Sequence, residues 1–133
     1  MALGIETILD DYHFLVSETD ERGIIRFANE DFCKIAEFDI DELIGINHNI
    51  VRHDDMPKAA FKDLWDTVES GNIWEGYVKN KTKSGGFYWV YAVVYPHENV
   101  DGTKGYLSCR RKATRSEIDE HEALYASMIK AER

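Results

Sequence analysis

The chain is poor in cysteine. Cys33 and Cys109 are its only two, with no CxxC pair, which excludes a disulfide framework and a cysteine zinc site. Long apolar runs are missing as well. Nothing approaches the ~20 residues of a spanning helix, and Met1–Ile5 lacks the basic and apolar regions of a signal peptide, so the expected compartment is the cytoplasm. Basic residues are in deficit: 16 Lys and Arg against 25 Asp and Glu leave a formal charge of −9. That balance argues against nucleic acid as the main partner, because phosphate contacts rest on clustered cations. No GxGxxG, P-loop, GxSxG or HExxH occurs, the five histidines show no metal-ligand spacing, and Asp54-Asp55 lacks an accompanying catalytic arrangement. No enzymatic activity is expected. What the chain does have is core material, 44% hydrophobic and 12% aromatic, in 133 residues that suit one domain.

The acidity is uneven. Residues 70–115 hold 3 acids and 8 bases, net +5, so the remainder carries −14. Alternating solvated faces account for this on charge alone; a positive wall for an anionic ligand is the sharper alternative.

Spacing predicts the elements. Tyr12–Ser17 and Ile24–Ala28 read as a hairpin around the turn Thr19–Gly23. Asn29 suits an N-cap, and Asp39-Ile-Asp-Glu42 has capping-box spacing for a short helix ended at Gly45. Irregular chain follows from Ile46 to Met56. Pro57 opens a helix whose Phe61, Leu64, Trp65 and Val68 make one apolar stripe ending near Gly71. Three strands come next, at Ile73–Thr82, Phe87–Pro96 and Thr103–Lys112, and Thr114-Arg-Ser-Glu117 opens a final helix. Helices interrupting an antiparallel sheet indicate an α+β domain with the helices on one sheet face and a pocket between the layers. The expected organisation is an N-terminal extension over residues 1–11, one folded domain over 12–113, and a C-terminal helix or linker over 114–133.

Both faces of the second long strand are apolar, so both need a cover. Tyr88, Val90, Ala92 and Val94 point one way, where small side chains leave room for a ligand or helix. Phe87, Trp89, Tyr91, Val93 and Tyr95 point the other, toward either the terminal helix or another protein.

The stretches Phe27-Ala-Asn-Glu-Asp-Phe32, His48-Asn-Ile-Val-Arg-His-Asp-Asp-Met-Pro-Lys-Ala-Ala-Phe61, Trp74-Glu-Gly-Tyr-Val-Lys-Asn80, Tyr88-Trp-Val90 and Gly105-Tyr-Leu-Ser108 resemble the flavin-binding PAS domains of bacterial aerotaxis, or energy-taxis, receptors. The resemblance implies a PAS fold, a five-stranded antiparallel sheet with short helices on one face and a C-terminal helix, holding FAD non-covalently. By position its flavin contacts fall on Asn29, Arg52, His53, Asp55, Trp65 and Asn80; strand parity adds Trp74, Tyr88 and Ser108 to the pocket side. One residue departs from the family pattern, Asp54 standing where the family has Pro, which frees a backbone N–H and loosens the loop.

Each residue also has a plainer role. Arg52 is able to pair with Asp54 or Asp55, His53 to be a surface histidine, and Asp55 to cap the following helix while bonding a ribose hydroxyl. Asn80 offers both a donor and an acceptor, as the pyrimidine edge of an isoalloxazine requires, and Gly76 on its face lets a ring approach the backbone. Trp65 is most simply core, with stacking on a ring the sharper role, and Trp74 suits core and pocket equally. In the related light-sensing flavin domains (LOV) a reactive Cys stands where this chain has His48, and Cys109 falls on the face away from the pocket, so no thiol adduct is expected.

These readings point to a redox or oxygen sensor that passes the state of bound FAD to a membrane-bound chemoreceptor, or to its juxtamembrane domain, as a homodimer recruited to the inner face of the membrane. The readers of the change fall on Ser108 or Arg110. The alternatives are a PAS domain binding haem, with His48 or His53 as axial ligand, one binding a small metabolite, or a ligand-free dimerisation module.

Overall fold

The computed structural model describes residues 4–98 and 100–132; residues 1–3 of the expected N-terminal extension and residue 133 of the expected C-terminal segment lie outside the described residues. The chain runs β1 (Phe14–Asp20), β2 (Ile25–Ala28), α1 (Glu30–Ala36), α2 (Ile40–Leu43), a 3-10 turn (His48–Val51), α3 (Lys58–Glu69), β3 (Trp74–Lys81), β4 (Phe87–Glu98), β5 (Lys104–Lys112) and α4 (Arg115–Glu132). The strands form one sheet in the order β2-β1-β5-β4-β3 with every neighbour antiparallel.

Local chemistry sets most boundaries. At the first turn the Asp20 carboxylate accepts from the N–H groups of Arg22 and Ile24, and Gly23 takes a φ of 85°, a conformation that costs glycine little. The carboxylate of Glu42 accepts from the Asp39 N–H, and Thr114 and Glu117 exchange the reciprocal pair of a capping box. The first strand departs from its predicted limits. Tyr12-His13 belong to a turn, where the Asp10 N–H bonds the His13 ring and the His13 N–H bonds the Asp10 carbonyl. At its other end β1 continues to Asp20 because β5 pairs with it as far as Gly105.

Between the sheet and α1–α3 lies a core of Leu15, Ile25, Phe32, Leu43, Val51, Val68 and Val90. Each such side chain contributes roughly 1.5–3 kcal/mol on burial. The outer face is covered by this chain's own α4: Tyr125 stacks on Trp89 at 6.1 Å and donates its hydroxyl to the Tyr77 carbonyl, while Tyr77 also bonds Glu117. The terminal helix thus takes the cover that the aromatic parity of β4 called for.

Gly76 serves a ring from within the chain. A Cβ there would meet the indole of Trp74 at 2.5 Å, so glycine admits that tryptophan, not an external ring, against the backbone.

Candidate functional site

A cleft opens between the inner sheet face, the 3-10 turn and α3. Its cavity is about 140 Å³ and opens to solvent at the mouth. Its apolar walls are Val51, Phe61, Leu64, Trp65, Trp74, Val78, Ala92, Val94 and Tyr106, and its polar groups are Thr19, Asn47, His48, Asn49, Arg52, Asn80, Ser108 and Arg110. The even parity of β4 supplies Ala92 and Val94, the small side chains that leave the space.

Five predicted residues come together here: Arg52, Trp65, Trp74, Asn80 and Ser108. The Trp74 indole donates to Asp63 at 2.9 Å, fixing β3 to α3, and Trp65 meets Tyr106 edge-on at 5.4 Å. Arg52 places its guanidinium 4.0 Å over the Phe61 ring and forms a backbone bridge with Asn80. Its alternative pairing with Asp54 or Asp55 is not formed among the described residues, and Asp55 is bonded to Lys79.

Four predicted residues stand outside the lining. Asn29 spends its amide as a structural clasp: its oxygen accepts from Val16 and Phe32 N–H groups and its nitrogen donates to the Phe14 carbonyl. His53 is buried, accepts from the Asp55 N–H, and sits edge-on to Phe87. Burial, then the nearby Lys79, lowers its pKa. Asp55 does not cap α3. The Lys58 and Ala59 N–H groups go instead to the Glu132 carboxylate of α4. Tyr88 is fully buried outside the lining, its hydroxyl facing the Asn80 amide without a well-formed hydrogen bond, and burial pushes that hydroxyl up to about 12.

The basic strands do not form a positive wall. Lys79 and Arg111 point outward by strand parity, to Asp55 and to the Tyr91 ring; Lys83, Lys112 and Arg115 pair with Glu42, Asp11 and Glu6. Among the described residues, only Arg52 and Arg110 bring cations to the cleft.

Arg110 is the strongest electrostatic feature. It is 4% exposed, its Nη2 donates to Ser17 Oγ at 2.9 Å and His48 Nε2 at 2.8 Å, and its Nη1 has no partner. No carboxylate is paired with it among the described residues, and burial pulls its pKa down to about 10. His48, accepting from Arg110, is neutral, held at about 3 by burial and then by that cation. The same bond occupies the Nε2 that a haem iron would need. Position in sequence marked Arg110 only as inward-facing; its isolation from acids, which makes it important, comes from the packing. Asn47 and Asn49, both in the 3-10 turn region, were not anticipated, since only their spacing to the sheet brings them to the cleft.

Residues 25–110 match the PAS fold family. The chain is 43% identical over 92% of its length to the aerotaxis receptor of Escherichia coli (strain K12), and 26% identical over 79% to the nitrogen fixation regulatory protein of Klebsiella pneumoniae. It spans 24% and 21% of those relatives' own lengths. Among solved structures, a light-oxygen-voltage domain from a flavin-analogue study aligns with a TM-score of 0.67 at 16% identity, covering 90% of this chain and 87% of that one. The Erythrobacter litoralis EL346 blue-light activated histidine kinase aligns at 0.68 and 15%, covering 84% and 38%. The sheet order, the helices over its inner face and this agreement across most of the chain lead to one assignment: the chain belongs to the PAS fold family.

Proposed function

We propose that this chain is a redox or oxygen sensor domain that holds FAD non-covalently and reports its state to a chemoreceptor-type signalling partner. One observation carries the reading. Arg110 keeps a buried charge with no carboxylate among the described residues and an unbonded Nη1 beside an open, largely apolar cleft, and a cation left so is costly unless a ligand completes it. The residues present fit a flavin: flat apolar and aromatic walls for a ring, the Asn80 amide to donate and accept at a pyrimidine edge, and Arg110 to face electron-rich oxygen or nitrogen. Asn47, Asn49 and Arg52 at the mouth suit the polar arm beyond the ring.

A bound isoalloxazine supplies reversible uptake of electrons with a proton, which exchanges an acceptor for a donor at the ring edge. Ser108 answers such an exchange by turning its hydroxyl, and Arg110 by redistributing bonds among Ser17, His48 and the ligand. Both lie on β5, which leads through Ala113 and Thr114 into α4. A shift there biases how α4 sits on Tyr77 and Trp89, and a partner preferring one arrangement is switched by population shift. The relatives' greater length leaves room for that partner in the same chain, on the cytoplasmic side of a membrane. Among the described residues, no helix is long and apolar enough to cross one.

The test is a visible spectrum of the purified protein followed by release and identification of the chromophore. Flavin absorption with FAD released is expected; a colourless protein that does not take up added FAD refutes the proposal.

A further inference from the structure

We propose that Lys79 is a positioning residue for the loop Arg52–Met56, acting through Asp55; the binding arm of this inference rests on the flavin reading above, and the positioning arm does not. Lys79 has the outward parity of β3, where lysine normally keeps its ammonium in water. Here it is 5% exposed. Its Nζ donates to the Asp55 carboxylate at 2.7 Å and lies 4.5 Å over the Phe87 ring. Asp55 keeps 49% of its side chain exposed and does not line the cleft.

The loop is therefore fastened to the β3 edge at three adjacent points. The Lys79 N–H bonds Met56 Sδ at 3.3 Å, the Lys79 ammonium holds Asp55, and the Arg52 backbone bridges Asn80. Arg52 and Asn80 face the cleft, while the ion pair that fixes their spacing sits on the other side of the strand. Asp55, which by resemblance contacts the cofactor, serves in this geometry to anchor the loop. The pair is asymmetric. Removing Lys79 leaves a carboxylate that water reaches; removing Asp55 leaves an ammonium buried against Phe87 with no counter-charge.

That asymmetry gives the experiment, in which FAD is titrated into the unaltered chain and into Lys79→Met, Asp55→Asn, their combination and Lys79→Arg, with far-UV circular dichroism as the folding control. Lys79→Met is expected to weaken FAD binding about tenfold, the scale of a hydrogen bond to a charged group. Asp55→Asn is expected to weaken it more, the double variant to recover toward Lys79→Met, and Lys79→Arg to stay near the unaltered chain. A double variant no better than Asp55→Asn alone overturns the inference, since a carboxylate in direct contact with FAD would not be relieved by losing the lysine. Lys79→Arg as weak as Lys79→Met overturns it too, and this comparison decides even where Asp55→Asn does not fold. Should the unaltered chain bind no FAD, the flavin reading fails and positioning is read alone. Amide exchange of residues 52–56 in the ligand-free chain should quicken in Lys79→Met and not in Lys79→Arg; unchanged exchange in Lys79→Met overturns the inference.

Discussion

Replacing Arg110 by methionine separates an arginine that holds the fold together from one held ready for a ligand. The pKa pulled down to about 10 corresponds to roughly 3 kcal/mol that the folded, ligand-free chain spends on keeping this charge buried. Methionine of similar length removes that cost. Against it stand the bonds to Ser17 and His48, about 1 kcal/mol each, and the guanidinium 5.1 Å from the Phe32 ring, worth about 1 kcal/mol. Little is orphaned by the change, because Ser17 Oγ and His48 Nε2 lie 3.1 Å apart and bond each other. The opposing contributions nearly cancel, so urea unfolding of the ligand-free chain, followed by circular dichroism, should give a stability within about 1 kcal/mol of the unaltered one. FAD retention should fall at least tenfold. A loss of about 3 kcal/mol or more, the usual result of breaking a buried ion pair, would refute the idea that Arg110 lacks a structural counter-charge. Unchanged retention would refute its role toward the ligand.

Other outcomes follow from the same geometry. His48 has a folded pKa of about 3, below its unfolded value, so its stability contribution is complete above about pH 6.5 and declines as the unfolded state protonates first on acidification. His53, also lowered, adds to the same window, which makes the difference from His48→Gln the useful measurement: between pH 7 and 5 the unaltered chain should lose about 1–2 kcal/mol more, and parallel curves would exclude the assignment. Asn80→Ala should lower FAD retention about tenfold through lost hydrogen bonds with the far-UV spectrum intact; equal retention would mean that the pyrimidine edge lies elsewhere. Tyr125→Ala, which empties the stack on Trp89, should cost roughly 3 kcal/mol and quicken amide exchange across 115–132, and unaltered exchange there would show that α4 is held by other contacts.

The motifs that depended on spacing within one element were legible. The stripe of α3, the capping pairs at Asp39 and Thr114 and the two faces of β4 were all readable before any fold was known, since periodicity and capping are decided over four to eight residues. Trp65, Trp74, Asn80 and Ser108 reached the cleft for that reason. Asp55 and Asn29 did not, although Asn29 caps α1 as its place before that helix predicts. Short polar side chains choose among many partners, and beyond the cap the choice was made by other segments: Lys79 for Asp55, and the β1 backbone for the remaining bonds of Asn29.

Composition and periodicity alone determined an acidic α+β domain, its strand parities and the place of its pocket, because burial patterns are written locally in the chain. Only the tertiary structure decided how charge is distributed around that pocket. Of the eight cations in the basic segment, four pair with acids and Arg110 is left inside without one among the described residues. The fold also joins the Glu132 carboxylate to the start of α3, 73 and 74 residues away. Electrostatic pairing depends on distances of a few ångströms between distant segments, and no spacing along the sequence specifies those.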